Sequence, residues 1–232
     1  MKDAIDSFLP LERNLFYALN GSEHQIIDNI MWTISGRFVW IPLFLFIVFV
    51  FFYKAPLKQA ITVTIFFILV FVAADQVSSS LFKPMFERFR PTHHPDFMDT
   101  VDILNGYRGG RFGFISGHAT NSFGLATFLS LSFLYRRVTF VVLFWAALNS
   151  YTRIYLGVHF ISDIIAGMLV GIIIGLVLFL IYNGVRKKFL ISEKESNKLL
   201  HNKEKANLFS SVLLIYILAL IILSPILATL PH

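Results

Sequence analysis

Apolar positions in this 232-residue chain run in blocks too long for ordinary soluble helices, broken by short polar stretches. A helix that spans a bilayer needs about 20 mostly apolar residues. Six blocks reach or approach that length, at roughly 26–53 (continuously apolar from Phe38), 60–82, 116–135, 138–151, 160–182 and 208–230, the fourth being short. The pattern predicts an all-α fold, a polytopic membrane helix bundle of about six transmembrane helices. The first residues are too polar to span. Phe8, Leu9, Leu15, Phe16 and Leu19 among them predict an N-terminal segment, residues 1–25, lying in the membrane interface. A membrane core then covers 26–185. A charged linker at 186–207 contains "RKK" and "SEKESNK", and 208–232 forms an additional C-terminal transmembrane helix.

Composition supports lipid as the main solvent. Hydrophobic residues make up 56% of the chain and charged residues 15%, against about a quarter charged in soluble domains. The absence of Cys excludes disulfides, thiolate metal sites and a thiol nucleophile. A net charge of +6 on such a chain implies basic loops beside anionic headgroups rather than nucleic-acid binding. The opening "MKDAIDSFLPLERNLF" mixes acids with apolar residues and lacks the long apolar core of a cleavable signal peptide. Eleven of the 20 Lys and Arg residues fall on the side that holds Lys54, Lys58, Arg136, Arg137 and the 186–207 linker. The positive-inside rule therefore assigns that side to the cytoplasm, and the long 83–115 loop and both termini to the opposite side.

Alternation of six spans brings three polar stretches to that opposite face: "KPMFERFRP" (83–91), "FISGHATNSFG" (114–124) and "YTRIYLGVHFISD" (151–163). They carry Lys83, Arg90, Ser116, Gly117, His118, Arg153, His159 and Asp163. Each has an ordinary alternative. The cations serve as interfacial anchors, Ser116 as an N-cap, and His159 and Asp163, four apart, as a structural pair. Three cations, two histidines, a hydroxyl and a carboxylate at one membrane depth are costly unless they act together. The set suits a phosphate ester. Lys83, Arg90 and Arg153 supply charge and forked donors for phosphoryl oxygens. Ser116 and Gly117 open a helix whose first amides favour an anion. One histidine attacks phosphorus and the other protonates the leaving oxygen, with Asp163 fixing the tautomer of His159.

Lys-x6-Arg-Pro, Ser-Gly-His and Arg-x5-His-x3-Asp, in this order, resemble the signature of the type-2 phosphatidic acid phosphatase family, the lipid phosphate phosphatases, over roughly residues 15–185. The resemblance implies His159 as the nucleophile forming a phosphohistidine, Asp163 orienting it, and His118 as acid for the leaving group and then base for water. It implies Lys83, Arg90, Ser116, Gly117 and Arg153 as phosphate ligands, with no metal and no cofactor. Ile115 and Thr152 stand where the pattern commonly has Pro and Ser.

Arg108 and Arg111 in "YRGGRFG" are candidates for further headgroup contacts. His93 and His94, with Asp96 or Asp99, form a weak metal pattern. Asp75 inside the second span is expected to satisfy a buried polar group, with Asn149 as the candidate. Gly167, Gly171 and Gly175 predict close helix packing. The expected partners are thus the bilayer and a lipid phosphate, and the expected function is an integral-membrane lipid phosphatase of the bacterial envelope. Its candidate substrates are undecaprenyl diphosphate or a lipid A-type phosphate, then phosphatidylglycerol phosphate or phosphatidic acid. A transporter with a headgroup-binding mouth is the competing class; it places polar groups near the midplane. A non-catalytic lipid-binding relative is a third reading.

Overall fold

The computed structural model describes residues 5–22, 24–189, 200 and 202–229. Residues 190–199 and 201 of the expected linker lie outside the described residues. Among the described residues the chain is helical, with one isolated antiparallel bridge between Phe89 and Phe112. The helices are α1 (Leu9–Leu19), α2 (Gln25–Ser35), α3 (Ile41–Phe52), α4 (Leu57–Gln76), α5 (Gly117–Phe133), α6 (Arg136–Tyr155), α7 (Ile161–Phe189) and α8 (Lys203–Leu227). A wider turn, Val77–Phe82, carries α4 on to Phe86.

Three of these are long and apolar enough to cross a membrane unaided: Leu57–Phe86, Ile161–Lys188 and Lys203–Leu227. The expected first span is not one straight helix. Gln25–Ser35 and Phe38–Phe52 form a pair bent by 71° at Gly36. Neither α5, for its length, nor α6, for its polar and charged residues, qualifies as an independent span. α5 has 17 residues, rich in Gly, Ser and Thr, and α6 carries Asn149 and Arg153. Both are largely surrounded by protein, which tolerates what lipid would not. α6 is also longer than the expected 138–151, reaching Tyr155 and placing Arg153 in its last turn.

Small residues set the central packing. A Cβ at Gly171 would lie 2.4 Å from the Thr120 carbonyl oxygen, and one at Gly175 2.4 Å from that of Gly124. The expected glycine stripe on α7 therefore meets the backbone of α5. Helix α8 closes the bundle against α2 and α6, with Thr33 Oγ1 donating to the Ser224 carbonyl and Arg137 to Ser211 Oγ. α1 divides its apolar residues. Leu9 and Phe16 are buried, Phe16 against Phe97 and Phe160, whereas Phe8 and Leu15 are exposed.

Candidate active site

Four local structures place the polar residues around one cavity. In the first, residues 88–90 pair with 111–113 through Arg90 N–H to Arg111 O (3.1 Å) and Gly113 N–H to Arg88 O (2.8 Å). Side chains alternate along an extended segment. Arg88 and Arg90 therefore turn inward together, while Phe89 stacks outside on Phe112 and beneath the Arg111 guanidinium. In the second, α6 ends at Gly157, whose φ of 68° suits glycine. The N–H groups of Val158 and His159 then both return to the Arg153 carbonyl, at 3.1 and 3.2 Å.

In the third, Ser116 caps α5, accepting from Ala119 N–H at 3.4 Å, and its own N–H donates to the Asp163 carbonyl at 3.1 Å. In the fourth, the extension of α4 delivers Lys83. Its ammonium would lie 3.9 Å from a Cβ at Gly117, so a larger residue there crowds the anion-binding end of α5. Gly113 is also demanded by close approach. A Cβ there would be 3.0 Å from Asp163 Oδ2 and 3.5 Å from His159 Nδ1.

The result is a cavity of about 520 Å³ lined by Lys83, Arg90, Gly117, His118, Arg153 and His159, together with Arg37, Tyr107, Asp75, Asn121 and Asn149. His159 Nδ1 lies 3.3 Å from Asp163 Oδ2, which also accepts from Phe160 N–H at 3.0 Å. Asp163 is fully buried. His159 Nε2 points at the cavity, 3.1 Å from Arg90 Nη1. Arg90 is further fixed by Nε–H to Phe112 O (3.2 Å) and Nη1–H to Val158 O (3.1 Å). Arg153 donates to Ser35 Oγ and, through Nη2, to Tyr107 OH at 3.1 Å. The His118 ring lies near the Ser35 backbone.

Two groups in the loops show the electrostatics. Burial first, then Arg90, Arg153, Lys83 and Arg88, hold the His159 imidazole well below its ordinary value, which favours its neutral form. Burial, then repulsion from Arg153, pulls the Arg90 guanidinium down to about 10. Crowded cations of this kind form a site that an anionic phosphate relieves.

Several expectations need adjustment. Ser116 is buried as a cap and does not line the cavity, because its hydroxyl is turned to Ala119. Arg108 and Arg111 also stay outside it. Arg108 braces the loop by donating to Thr92 O at 3.1 Å, and Arg111 lies over Phe89 and Phe112. His94 is buried against Phe97 and Phe160 and accepts from Asp96 N–H, while His93 bonds the Thr92 hydroxyl. Among the described residues no group of three His, Asp or Glu is placed to hold a metal ion. Asp75 and Asn149 share the cavity wall, but Asn149 Oδ1 has no hydrogen-bond partner among the described residues.

Sequence reasoning missed Arg88, which is fully buried. It donates to Asp163 Oδ1 (2.7 Å), Ser162 Oγ (2.6 Å), Glu12 Oε1 (2.9 Å) and Asp6 Oδ1 (3.1 Å). Glu12 in turn accepts from Ser162 N–H and Oγ–H, both at 2.7 Å, at the start of α7. Burial opposes the Arg88 charge, but Asp163 and Glu12 outweigh it and raise its pKa. Arg37 was missed as well, an exposed fourth cation at the α2–α3 bend. The period-two step from Arg90 to Arg88 was the one available signal; Glu12 and Ser35 had none.

Comparison with known proteins gives a consistent result. Residues 64–187 match the PAP2 superfamily. The chain is 42% identical over 186 residues to a lipid A 4'-phosphatase of Porphyromonas gingivalis, covering 80% of this chain and 79% of that one. It is 36% identical over 164 residues to a lipid A 4'-phosphatase of Bacteroides thetaiotaomicron, covering 70% and 73%. Its fold is similar to the crystal structure of LpxE from Aquifex aeolicus, with a TM-score of 0.58 and 27% identity over 73% of this chain and 95% of that one. It also resembles a transmembrane PAP2-type phosphatidylglycerolphosphate phosphatase from Bacillus subtilis in fold, with a TM-score of 0.56, 24% identity, and 79% and 88% coverage.

Proposed function

The chain belongs to the PAP2 superfamily, and from that membership we propose that this integral-membrane phosphatase removes a phosphate monoester from a lipid A-type glycolipid at the extracytoplasmic face of the inner membrane. The observation that carries the reading is the cavity itself. His159, backed by Asp163, and His118 face one space ringed by Lys83, Arg90 and Arg153. The names of two relatives support the choice of lipid.

The mechanism follows from the groups present. The three cations and the first amides of α5 bind the phosphoryl oxygens. Neutral His159 attacks phosphorus through Nε2, forming a P–N bond as the bond to the leaving oxygen breaks. Asp163 accepts the Nδ1–H and stabilises the imidazolium that develops. His118 gives its proton to the leaving alkoxide, then takes one from water as water attacks the phosphohistidine and releases phosphate. Phe44 and Phe71 also line the cavity, and Phe71 is 43% exposed on the lipid-facing side of α4, so an acylated substrate reaches the site without leaving the bilayer. The Arg88–Asp163–His159 chain favours an enzyme over a transporter, because orienting an imidazole serves proton transfer rather than passage.

The test is phosphate release by the purified protein, with and without exhaustive chelation, from a monophosphorylated lipid A-type glycolipid, undecaprenyl diphosphate, phosphatidylglycerol phosphate and phosphatidic acid. The glycolipid is expected to give the highest kcat/KM, undiminished by chelation. Preference for a non-glycosylated lipid, or loss of activity restored by a divalent ion, overturns the assignment.

A further inference from the structure

The catalytic groups occupy one end of the cavity, and below them the wall stays polar where lipid depth would call for apolar residues. Asn121 follows His118 by three residues on α5. Asn149 and Trp145 precede Arg153 by four and eight on α6, and Asp75 precedes Lys83 by eight on α4. At 1.5 Å per residue these side chains lie about 5 to 12 Å deeper than the catalytic layer. Asn149 is 7% exposed and Trp145 4%. Asn121 Oδ1, Asn149 Oδ1 and Trp145 Nε1 have no hydrogen-bond partner among the described residues. The Asp75 carboxylate faces the same space, in the field of Lys83. Buried polar groups left unpaired are destabilising, and three on one cavity wall call for a ligand.

Resting on the phosphatase reading, we propose that Asn121, Asn149, Trp145 and Asp75 form a subsite for the leaving group, and that this group is a hydroxyl- and amide-bearing sugar rather than a plain glyceride or an isoprenyl phosphate. The order along the membrane normal agrees. The cations hold the phosphate at the surface. His118, between the phosphate and Asn121, faces the bridging oxygen. The sugar lies next to the amides, and its acyl chains continue past Phe44 and Phe71. Two amides, a carboxylate and an indole N–H give the wall both donors and acceptors. It therefore suits a headgroup that carries both, as sugar hydroxyls and an amide do. A diacylglycerol leaving group brings only ester carbonyl acceptors, and an isoprenyl chain brings neither, so the wall's oxygens stay unpaired.

The test uses the full-length protein and two substrates that share a phosphate monoester, an acylated glucosamine phosphate and phosphatidic acid. The wild type is expected to prefer the glycolipid. Asn149→Leu and Asn121→Leu should each lower the glycolipid-to-phosphatidic-acid ratio of kcat/KM by about 3- to 10-fold, the value of one neutral hydrogen bond. A second measurement needs no turnover. The dephosphorylated acyl-glucosamine should raise the thermal unfolding temperature of the wild type more than diacylglycerol does, and Asn149→Leu should narrow that difference. Without ligand, Asn149→Leu should unfold no earlier than the wild type, since it removes an unpaired amide. A ratio unchanged within twofold, or equal stabilisation by the two products, overturns the subsite and leaves water as the occupant. Absence of phosphate release from both substrates overturns the phosphatase reading instead, while the binding measurement still decides the subsite.

Discussion

Replacing Arg88 by Met tests whether the N-terminal helix is part of the catalytic apparatus. The guanidinium is fully buried between Asp163, fully buried, and Glu12, whose side chain is 9% exposed, with Asp6 at the edge. Removing it leaves two buried carboxylates without their counter-ion. Breaking a buried pair from one side typically destabilises by about 3–5 kcal/mol. Asp163 would then gain a proton or shift its hold on His159, so turnover should fall by about 100-fold or more, the scale of losing an oriented base. Glu12→Gln keeps the shape and removes one charge, and should do less of both. In the double variant the buried Glu12 charge is gone along with its partner, so the destabilisation should be smaller than the sum of the single effects. Thermal unfolding in detergent and phosphate release measure the two quantities. An Arg88→Met protein that unfolds and turns over like the wild type refutes the positioning role, and additive effects in the cycle refute the coupling between α1 and the site.

The two histidines should separate by rapid-quench trapping with p-nitrophenyl phosphate. His159→Ala should trap no phosphoenzyme, whereas His118→Ala should accumulate it, because an activated leaving group needs little acid while water still lacks its base; the opposite pattern exchanges the roles. The acid limb of kcat/KM reports the free enzyme. With the His159 pKa lowered by burial and surrounding cations, the nucleophile stays unprotonated below the ordinary histidine value, so the limb should lie below about pH 6.5; a limb above that value contradicts a depressed nucleophile. Sidedness is read from single cysteines, since the chain has none of its own. Thr100→Cys in the long loop should react with an impermeant thiol reagent in intact cells and Ser196→Cys in the linker should not, and the reverse labelling puts the site in the cytoplasm.

Much of the site was legible because its spacing is local. His159 and Asp163 lie one turn apart around the start of α7, and Lys83 and Arg90 bracket the end of α4. Their neighbours in sequence impose the geometry, so a linear pattern carries it. Arg88 sits between Lys83 and Arg90 in the same quoted stretch, yet its place depends on Glu12 of α1, 76 residues earlier in the chain. No local pattern encodes that contact. Asn121 escaped for a related reason, and Asn149 was read only as a partner for Asp75: their shared cavity exists only once α5 and α6 pack.

Hydropathy reports which surfaces meet lipid, and it is blind to what meets protein. That explains the bend at Gly36. The run from Ile26 to Tyr53 reads as one apolar block, but α2 is packed on α8 through Thr33 and Ser224 while α3 continues as a membrane helix. The break has a consequence at the site. It lets Ser35 meet the Arg153 guanidinium, brings the Ser35 backbone to His118, and leaves Arg37 at the cavity rim as a fourth cation. The bend is thus a feature the apolar block conceals, and it is what brings Ser35 within reach of the Arg153 guanidinium.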